Sequence, residues 1–118
     1  MLKALILLIL IDMIYIYSLG MSVFNKQIKD VQGTEIKIDI VAALLTYVLI
    51  ATALYYFILK DKRPIHEAFL LGLCIYGVYE LTSKSLLDKW SWNTVAIDTL
   101  WGGILLSLTT YLLYKIPL

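Results

Sequence analysis

Four long stretches of hydrophobic residues run along the chain, and shorter polar segments separate them. Each stretch is long enough to cross a hydrocarbon core of about 30 Å at about 1.5 Å per residue. Lipid offers no hydrogen-bond partner to the backbone, so each span must satisfy its own groups as a helix. The pattern therefore predicts four transmembrane helices, at residues 2–24, 40–59, 65–87 and 94–116.

The connections between these stretches set the predicted fold. Short links make sequence neighbours antiparallel, so we predict an all-α, integral membrane four-helix up-down bundle with short loops, in a single domain over residues 1–118. A membrane β-barrel would require strands of about ten alternating residues, and these stretches are continuously apolar. The longest connection ends in the alternating segment Glu35–Asp39, which we expect to lie extended or amphipathic at the membrane surface.

The first stretch has a competing interpretation as a cleaved signal peptide. No small-x-small cleavage site follows its Leu- and Ile-rich part, and apolar residues continue past Asp12. We therefore interpret it as a transmembrane helix.

Composition points to a membrane protein and away from other classes. Hydrophobic residues make up 61% and charged residues 16% of the chain, against about one-half and one-quarter in a typical soluble domain. The net charge of +1 provides no basic surface for nucleic acid. The single cysteine, Cys74, has no partner for an internal disulfide and predicts no metal site. We expect it to be a small buried hydrophobe.

Aromatic and basic residues mark the predicted ends of the spans. Aromatic belts are predicted from Trp90 and Trp92 at one face and from Tyr55, Tyr56, Tyr111 and Tyr114 at the other. Basic residues divide evenly between the faces, but the compact Lys60–Arg63 cluster favours cytoplasmic termini. A bacterial plasma membrane is the default location, with a viral or organellar membrane as the alternatives.

Three carboxylates fall within predicted spans, at Asp12, Glu80 and Asp98. Inserting an acid near the middle of a helix costs about 2.5–3.5 kcal/mol, so such residues tend to be functional. Counting along the helices places Glu80 roughly 10 Å and Asp98 roughly 6 Å from the turn that joins their helices. These two acids are expected to form one cluster, with Asp12 a turn or two deeper.

Helical spacing predicts the neighbours of these acids. Tyr76, Glu80 and Lys84 share a stripe, and Glu80 precedes Lys84 in the order that favours an ion pair. Gly102 and Gly103 are expected to admit a close neighbouring helix. The complete set of candidate ligand- or proton-binding residues is Asp12, Tyr76, Tyr79, Glu80, Thr82, Lys84, Asp98 and Trp101.

Several of these residues resemble the pattern of a family of small predicted membrane proteins, domain-of-unknown-function family 2177. The family pattern has an Asp in the first helix, Tyr-Asp-Leu-Thr-Asn in the third, a Trp-Pro turn and Asp-X-X-Trp-Gly in the fourth. The corresponding segments here are Asp12, Tyr79–Ser83, Trp90–Ser91 and Asp98–Gly102. Glu80, Ser83 and Ser91 depart from that pattern. The resemblance implies four membrane helices and supplies no activity.

Two functions remain open from the sequence. The first is binding or passage of a small solute or proton through the acid, Tyr and Trp cluster, which would need a homo-oligomer because four helices make a thin wall. The second is a membrane-structural or assembly role in which the acids only fix helix packing. A lipid enzyme lacks support, because the sequence has no metal-ligand set, nucleophile–base pair or phosphate-binding glycine loop. No cofactor or metal is predicted, and the lipid bilayer is the expected partner.

Overall fold

The computed structural model describes residues 1–32 and 39–115, and the regular structure in these two ranges is helical. The elements follow in the order α1 Leu2–Tyr15, a π-helical turn Ile16–Gly20, α2 Met21–Gln32, α3 Ile40–Leu54, a second π-helical turn Tyr55–Leu59, α4 Ile65–Leu86 and α5 Trp92–Lys115. The predicted all-α class is therefore confirmed.

The first helical stretch extends further than its hydrophobic pattern predicted. Helix continues from Leu2 through the π-helical turn to Gln32, whereas the predicted helix ended at residue 24. Residues 25–32 are mostly polar, but they contain neither proline nor glycine, the two residues that most disfavour a helix, so the helix continues through them. Hydrophobicity marked where the apolar layer ends rather than where the helix ends. The segment Glu35–Asp39 lies outside the described residues except for Asp39.

The α3 and α4 helices begin close to their predicted positions. Asp39 caps α3, because its Oδ1 accepts a hydrogen bond of 3.1 Å from the backbone N–H of Ala42. Lys62 adopts the left-handed conformation, with φ 50°, in the turn that follows α3. Pro64 is extended and immediately precedes α4. This turn reverses the chain, so that α3 and α4 flank a common cleft.

The helix ends gather at two opposite ends of the molecule. At one end Met1 lies in the same surface pocket as Tyr114, whose hydroxyl donates to the Arg63 carbonyl at 2.8 Å. At the other end Gln27 of α2 hydrogen-bonds the segment between α4 and α5, at residues 89–91. The longest dimension of the molecule is 45 Å.

A hydrophobic core joins four of the helices. It is formed by Leu8 and Ile11 of α1, Ile50, Ala51 and Leu54 of α3, Ile58 of the second π-helical turn, Ala68 of α4, and Leu105 and Leu106 of α5. The α4 and α5 helices pack on each other along most of their length. This pairing brings together the two helices that carry Glu80 and Asp98.

Glycines allow α4 and α5 to touch through their backbones. A Cβ atom placed on Gly72 would overlap the Gly102 carbonyl oxygen and lie 2.8 Å from Gly103 Cα. A Cβ atom on Gly102 would overlap the Tyr76 ring. The close helix approach predicted from Gly102 and Gly103 is present, and its partner is α4.

Large hydrophobic side chains cover much of the outer surface. Two of the described helical stretches have the length and hydropathy of a membrane span, Ile40–Leu59 with mean hydropathy 2.1 and Trp92–Lys115 with 1.4. Only 17% of the apolar window in the first is buried inside the molecule, so most of its hydrophobic surface faces outward. Cys74 also lies on the outer surface, which corrects the expectation that it is buried.

Candidate functional site

Three carboxylates lie inside the molecule, and none of them forms an ion pair with a residue in the ranges 1–32 and 39–115. Asp12, Glu80 and Asp98 are 7%, 0% and 6% exposed. A buried acid is normally paired with a cation or hydrogen-bonded. The ion pair in the described chain lies elsewhere, between Arg63 and Glu67. Hydrogen bonds or protons must therefore satisfy the three acids.

Asp12 has a hydrogen-bond donor on each of its two oxygens. The Trp101 indole N–H donates to Oδ1 at 2.8 Å, and the Tyr47 hydroxyl donates to Oδ2. Tyr15 stacks on Trp101 with ring centroids 4.4 Å apart and an interplanar angle of 11°. These contacts tie α1 to α3 and α5, and we call them the Asp12 lock.

Glu80 and Asp98 form a second centre, the Glu80–Asp98 pair. Their carboxyl groups are close neighbours between α4 and α5. Glu80 Oε1 accepts a hydrogen bond of 2.9 Å from the Trp90 indole N–H, whereas Glu80 Oε2 is buried with no donor among the described residues. Two carboxyl groups can hydrogen-bond each other only when one carries a proton. The pair therefore has a place for a proton that the Asp12 lock lacks.

The Tyr15 hydroxyl is a further unsatisfied group in the same region. It is buried and has no hydrogen-bond partner in the described part of the chain. It nevertheless lies near enough to Asp98, Asp12 and Glu80 to interact with them electrostatically. An unsatisfied buried polar atom costs about 1–3 kcal/mol. The free hydrogen-bonding capacity of the cluster is thus concentrated around the Glu80–Asp98 pair.

The ion pair predicted between Glu80 and Lys84 does not form. The Lys84 ammonium lies over the Trp92 ring, 5.5 Å from its centroid, and Glu80 bonds Trp90 instead. Trp90 was assigned to the aromatic belt but is only 4% exposed. The turn after α4 folds the Trp90 indole back onto the acid, and the lysine is left at the surface.

The remaining predicted residues of α4 divide between the cluster and the surface. The Tyr76 ring packs on Gly102, and its hydroxyl interacts with Asp12 and Asp98 rather than with Glu80. Tyr79 is 59% exposed, and Thr82 is exposed and takes no part in the cluster. Tyr76 therefore belongs to the site, and Thr82 does not.

Gln27 joins the far end of α2 to the turn between α4 and α5. Its side-chain oxygen accepts hydrogen bonds from the Ser91 N–H at 2.6 Å and the Thr94 hydroxyl at 3.1 Å, and its amide donates to the Lys89 carbonyl. The residue is 4% exposed. Sequence reasoning missed it because the helix was predicted to end before it. The available signal was the lack of a helix breaker before Gly33.

Three further members of the cluster were absent from the predicted set. Tyr15 follows Asp12 by three residues on the same helical face, and Tyr47 is a polar residue within an otherwise apolar stretch. Both patterns were available as signals. Trp90 gave no such signal, because its contact with Glu80 depends on the path of the turn.

A cleft between α3 and α4 opens beside the Glu80–Asp98 pair. Its volume is about 420 Å³. Its lining consists of Thr46, Leu49, Ile50, Ile75, Tyr76, Tyr79 and Asp98. Asp98 is the sole carboxylic acid in this lining. A mostly apolar cavity of this size with a few polar groups is typical of small-molecule sites.

Carboxyl, phenol and indole groups define the chemistry of the cluster. Carboxyl groups can bind and release protons, and the phenol and indole groups donate hydrogen bonds to them. Among the described residues, no three His, Cys, Asp or Glu side chains come together in an arrangement that could hold a metal ion.

The two long apolar helical stretches, with hydrophobic side chains facing outward, fit insertion into a membrane. The chain belongs to the family DUF2177, described as a predicted membrane protein, whose model matches residues 1–114. The resemblance predicted from the Tyr79–Ser83 and Asp98–Gly102 motifs is thereby confirmed. No curated protein and no solved structure matches the chain.

Proposed function

We propose that this protein is a multi-pass integral membrane protein with four spans, formed by α1, α3 with its π-helical turn, α4 and α5. The 45 Å length of the molecule supports this arrangement, since a bilayer with its headgroups is about 40–45 Å thick. The outward-facing hydrophobic surface of α3 supports it as well. The short connections before and after α4 make sequence neighbours antiparallel.

Both termini lie on the cytoplasmic side in this proposal, in a bacterial plasma membrane. Met1 and Tyr114 line one surface pocket together with Lys62. The compact basic cluster Lys60–Arg63 thus lies at the same end as Met1 and Tyr114. Basic residues concentrate on the cytoplasmic side of membrane proteins.

Within the membrane, the Glu80–Asp98 pair binds and releases a proton, and the carboxylate, Tyr and Trp cluster around it binds or passes a small solute or a proton. One observation carries this proposal: Glu80 Oε2 is buried beside a second acid with no donor among the described residues. An acid inside a membrane protein is costly and usually serves function. Movement of the solute across the bilayer would use a homo-oligomer, because four helices enclose little space.

Proton flux into vesicles tests the proposal. Purified protein is reconstituted with a pH-sensitive dye inside, and a pH difference is imposed across the membrane. We expect wild-type vesicles to dissipate the difference faster than empty vesicles, and Glu80→Gln and Asp98→Asn to abolish that increment. Asp88→Asn is the matched control, because Asp88 is an exposed acid outside the cluster. Equal flux in wild-type and Glu80→Gln vesicles would overturn the proposal.

A structural or assembly role is the second candidate, and the Asp12 lock favours it. Asp12 has a donor on each oxygen and joins three helices, as expected of an acid that only fixes packing. Thiol labelling separates the two candidates. Single cysteines are placed at positions 12, 80 and 98 in a Cys74→Ala background and treated with an impermeant reagent. Rapid labelling at 80 and 98 supports proton exchange, and protection of all three positions supports the structural role.

A further inference from the structure

We infer that the cleft between α3 and α4 binds a lipophilic organic cation, with its charge beside Asp98 and its apolar body between the two helices. The inference rests on the proposed function and its membrane placement, and it deepens that function. It names both the class of solute and the route by which the solute enters.

The walls of the cleft determine the body of the ligand. Leu49 and Ile50 of α3 face Ile75 and the Tyr76 ring of α4 across about 420 Å³. The Thr46 hydroxyl is already bonded to the Ala42 carbonyl at 2.9 Å, so it contributes little free polarity. A hydrated ion would lose its water in such a cleft without replacement. A ligand with an apolar body suits these walls.

The position of the cleft determines its access. Leu49 and Tyr79 line it and are 70% and 59% exposed on the outer surface of the molecule. In the proposed arrangement that surface faces lipid, so the cleft opens sideways into the bilayer. A ligand that enters there must partition into lipid first, which again selects a lipophilic molecule.

The charge near Asp98 determines the head of the ligand. The groups that face Asp98 are acids and phenols: Asp12 and Tyr15 on α1, and Tyr76, Tyr79 and Glu80 on α4, while Tyr47 of α3 faces Asp12. The nearby lysine, Lys84, is directed to Trp92. A cation therefore meets complementary charge, and the rings of Tyr76 and Tyr79 can add cation–π attraction.

The proton of the Glu80–Asp98 pair links this binding to exchange. Two adjacent buried carboxyl groups resist ionising together. A cation beside Asp98 supplies the positive charge that the shared proton supplied, so the proton is released to solution. One cation bound corresponds to one proton released, and raising the pH strengthens binding.

Binding of tetraphenylphosphonium to detergent-purified protein tests the inference. Its anionic counterpart, tetraphenylborate, has a similar shape and the opposite charge. We expect the phosphonium to bind wild-type protein and the borate not to bind. Asp98→Asn removes the charge, whereas Leu49→Trp fills the cleft and leaves all the acids unmutated. Each substitution should raise the phosphonium Kd at least tenfold. Asp88→Asn should leave the Kd unchanged. Circular dichroism establishes that each variant is folded.

Three outcomes overturn the inference: equal binding of both probes, an unchanged Kd in folded Leu49→Trp, or no phosphonium binding to folded wild type. If Glu80-dependent proton flux persists in any of these cases, the proposed function stands and only the cation assignment fails. Phosphonium binding with the expected variant pattern, in protein that shows no flux, supports the cation site and overturns proton transfer across the membrane.

Discussion

Asp12 and the Glu80–Asp98 pair are similarly buried acids in very different surroundings. Each Asp12 oxygen receives a hydrogen bond, from Tyr47 or from Trp101. In the pair, one Glu80 oxygen receives a bond from Trp90 and the other has no donor within the described chain. Burial alone therefore does not reveal the role of an acid. The number and direction of the donors around it do.

The energetics follow the same division. Hydrogen bonds to a charged group contribute about 1.5–3 kcal/mol each. In the proposed membrane placement, two of them offset the cost of about 2.5–3.5 kcal/mol of inserting Asp12. The two hydrogen bonds of the Asp12 lock thus satisfy both oxygens of the carboxyl group. The Glu80–Asp98 pair has fewer donors for more oxygens, and a proton is the simplest way to satisfy it.

The largest expected effect comes from separating the helices that hold the pair. Gly72→Ala places a methyl group against the Gly102 carbonyl, where only backbone can yield. We expect it to lower the free energy of unfolding by about 3 kcal/mol, as measured by denaturant titration in detergent micelles. Gly77→Ala is the matched control, because its methyl would meet Thr99 Cγ2 at an ordinary 3.5 Å. Equal losses in the two variants would contradict backbone contact at Gly72.

Gly102→Leu tests the same contact from α5. The added side chain would overlap the Tyr76 ring, so we expect the packing of α5 to be disrupted. Unchanged folding and unchanged oligomeric state in detergent would count against the contact.

The next effect breaks the Asp12 lock. In Asp12→Asn the side-chain oxygen can still accept the hydrogen bond from Trp101. The oxygen that accepts from the Tyr47 hydroxyl is replaced by an amide group, which is a donor. Charge-assisted bonds are about twice as strong as neutral ones, so we expect a loss of about 1–2 kcal/mol in the same titration. Tyr47→Phe in the Asp12→Asn background should add little further loss. Additive losses would show that the two residues do not act together.

A smaller effect is expected at Lys84. Its ammonium contacts Trp92 at the surface, which is worth about 0.5–1 kcal/mol at an exposed site. Lys84→Ala should therefore lower the free energy of unfolding by no more than that amount. In a Trp92→Leu background, Lys84→Ala should leave the free energy of unfolding unchanged. A loss in Lys84→Ala as large as that in Asp12→Asn would point to an ion pair with Glu80 after all.

The smallest stability effect is expected at the pair itself. Glu80→Gln keeps an oxygen for Trp90 and offers an amide donor to Asp98, so it replaces the shared proton with a permanent hydrogen bond. We expect the free energy of unfolding to change by less than about 0.5 kcal/mol, while proton flux is lost. A loss as large as that of Asp12→Asn would remove the distinction between the two centres.

Much of this arrangement could be predicted from the sequence. Helical periodicity located the three acids and the glycine face, because those features depend on the spacing within one helix. Counting residues predicted that Glu80 and Asp98 lie together, and the two acids are neighbours between α4 and α5. The deeper position of Asp12 stays a prediction. The spacing could not show which helix faces which, so Tyr47 was not recognised as the partner of Asp12.

Other contacts depended on the path of the chain between helices. The spacing of Glu80 and Lys84 favours an ion pair on an isolated helix, but the turn places the Trp90 indole beside the acid instead. Gln27 was missed because the predicted helix ended with the hydrophobic residues, whereas the helix itself continues to Gln32. At Glu80 tertiary packing overrode a local signal, whereas at Gln27 the hydrophobic pattern did not report how far the helix extends.

Infrared spectroscopy tests the distinction between the two centres most directly. The C=O stretch of a protonated carboxyl group is measured at neutral pH in reconstituted wild-type protein, Asp12→Asn, Glu80→Gln and Asp98→Asn. We predict one buried protonated carboxyl band that persists in Asp12→Asn and disappears in both Glu80→Gln and Asp98→Asn. A band that disappears only in Asp12→Asn, or no such band in the wild type, would contradict a shared proton between Glu80 and Asp98.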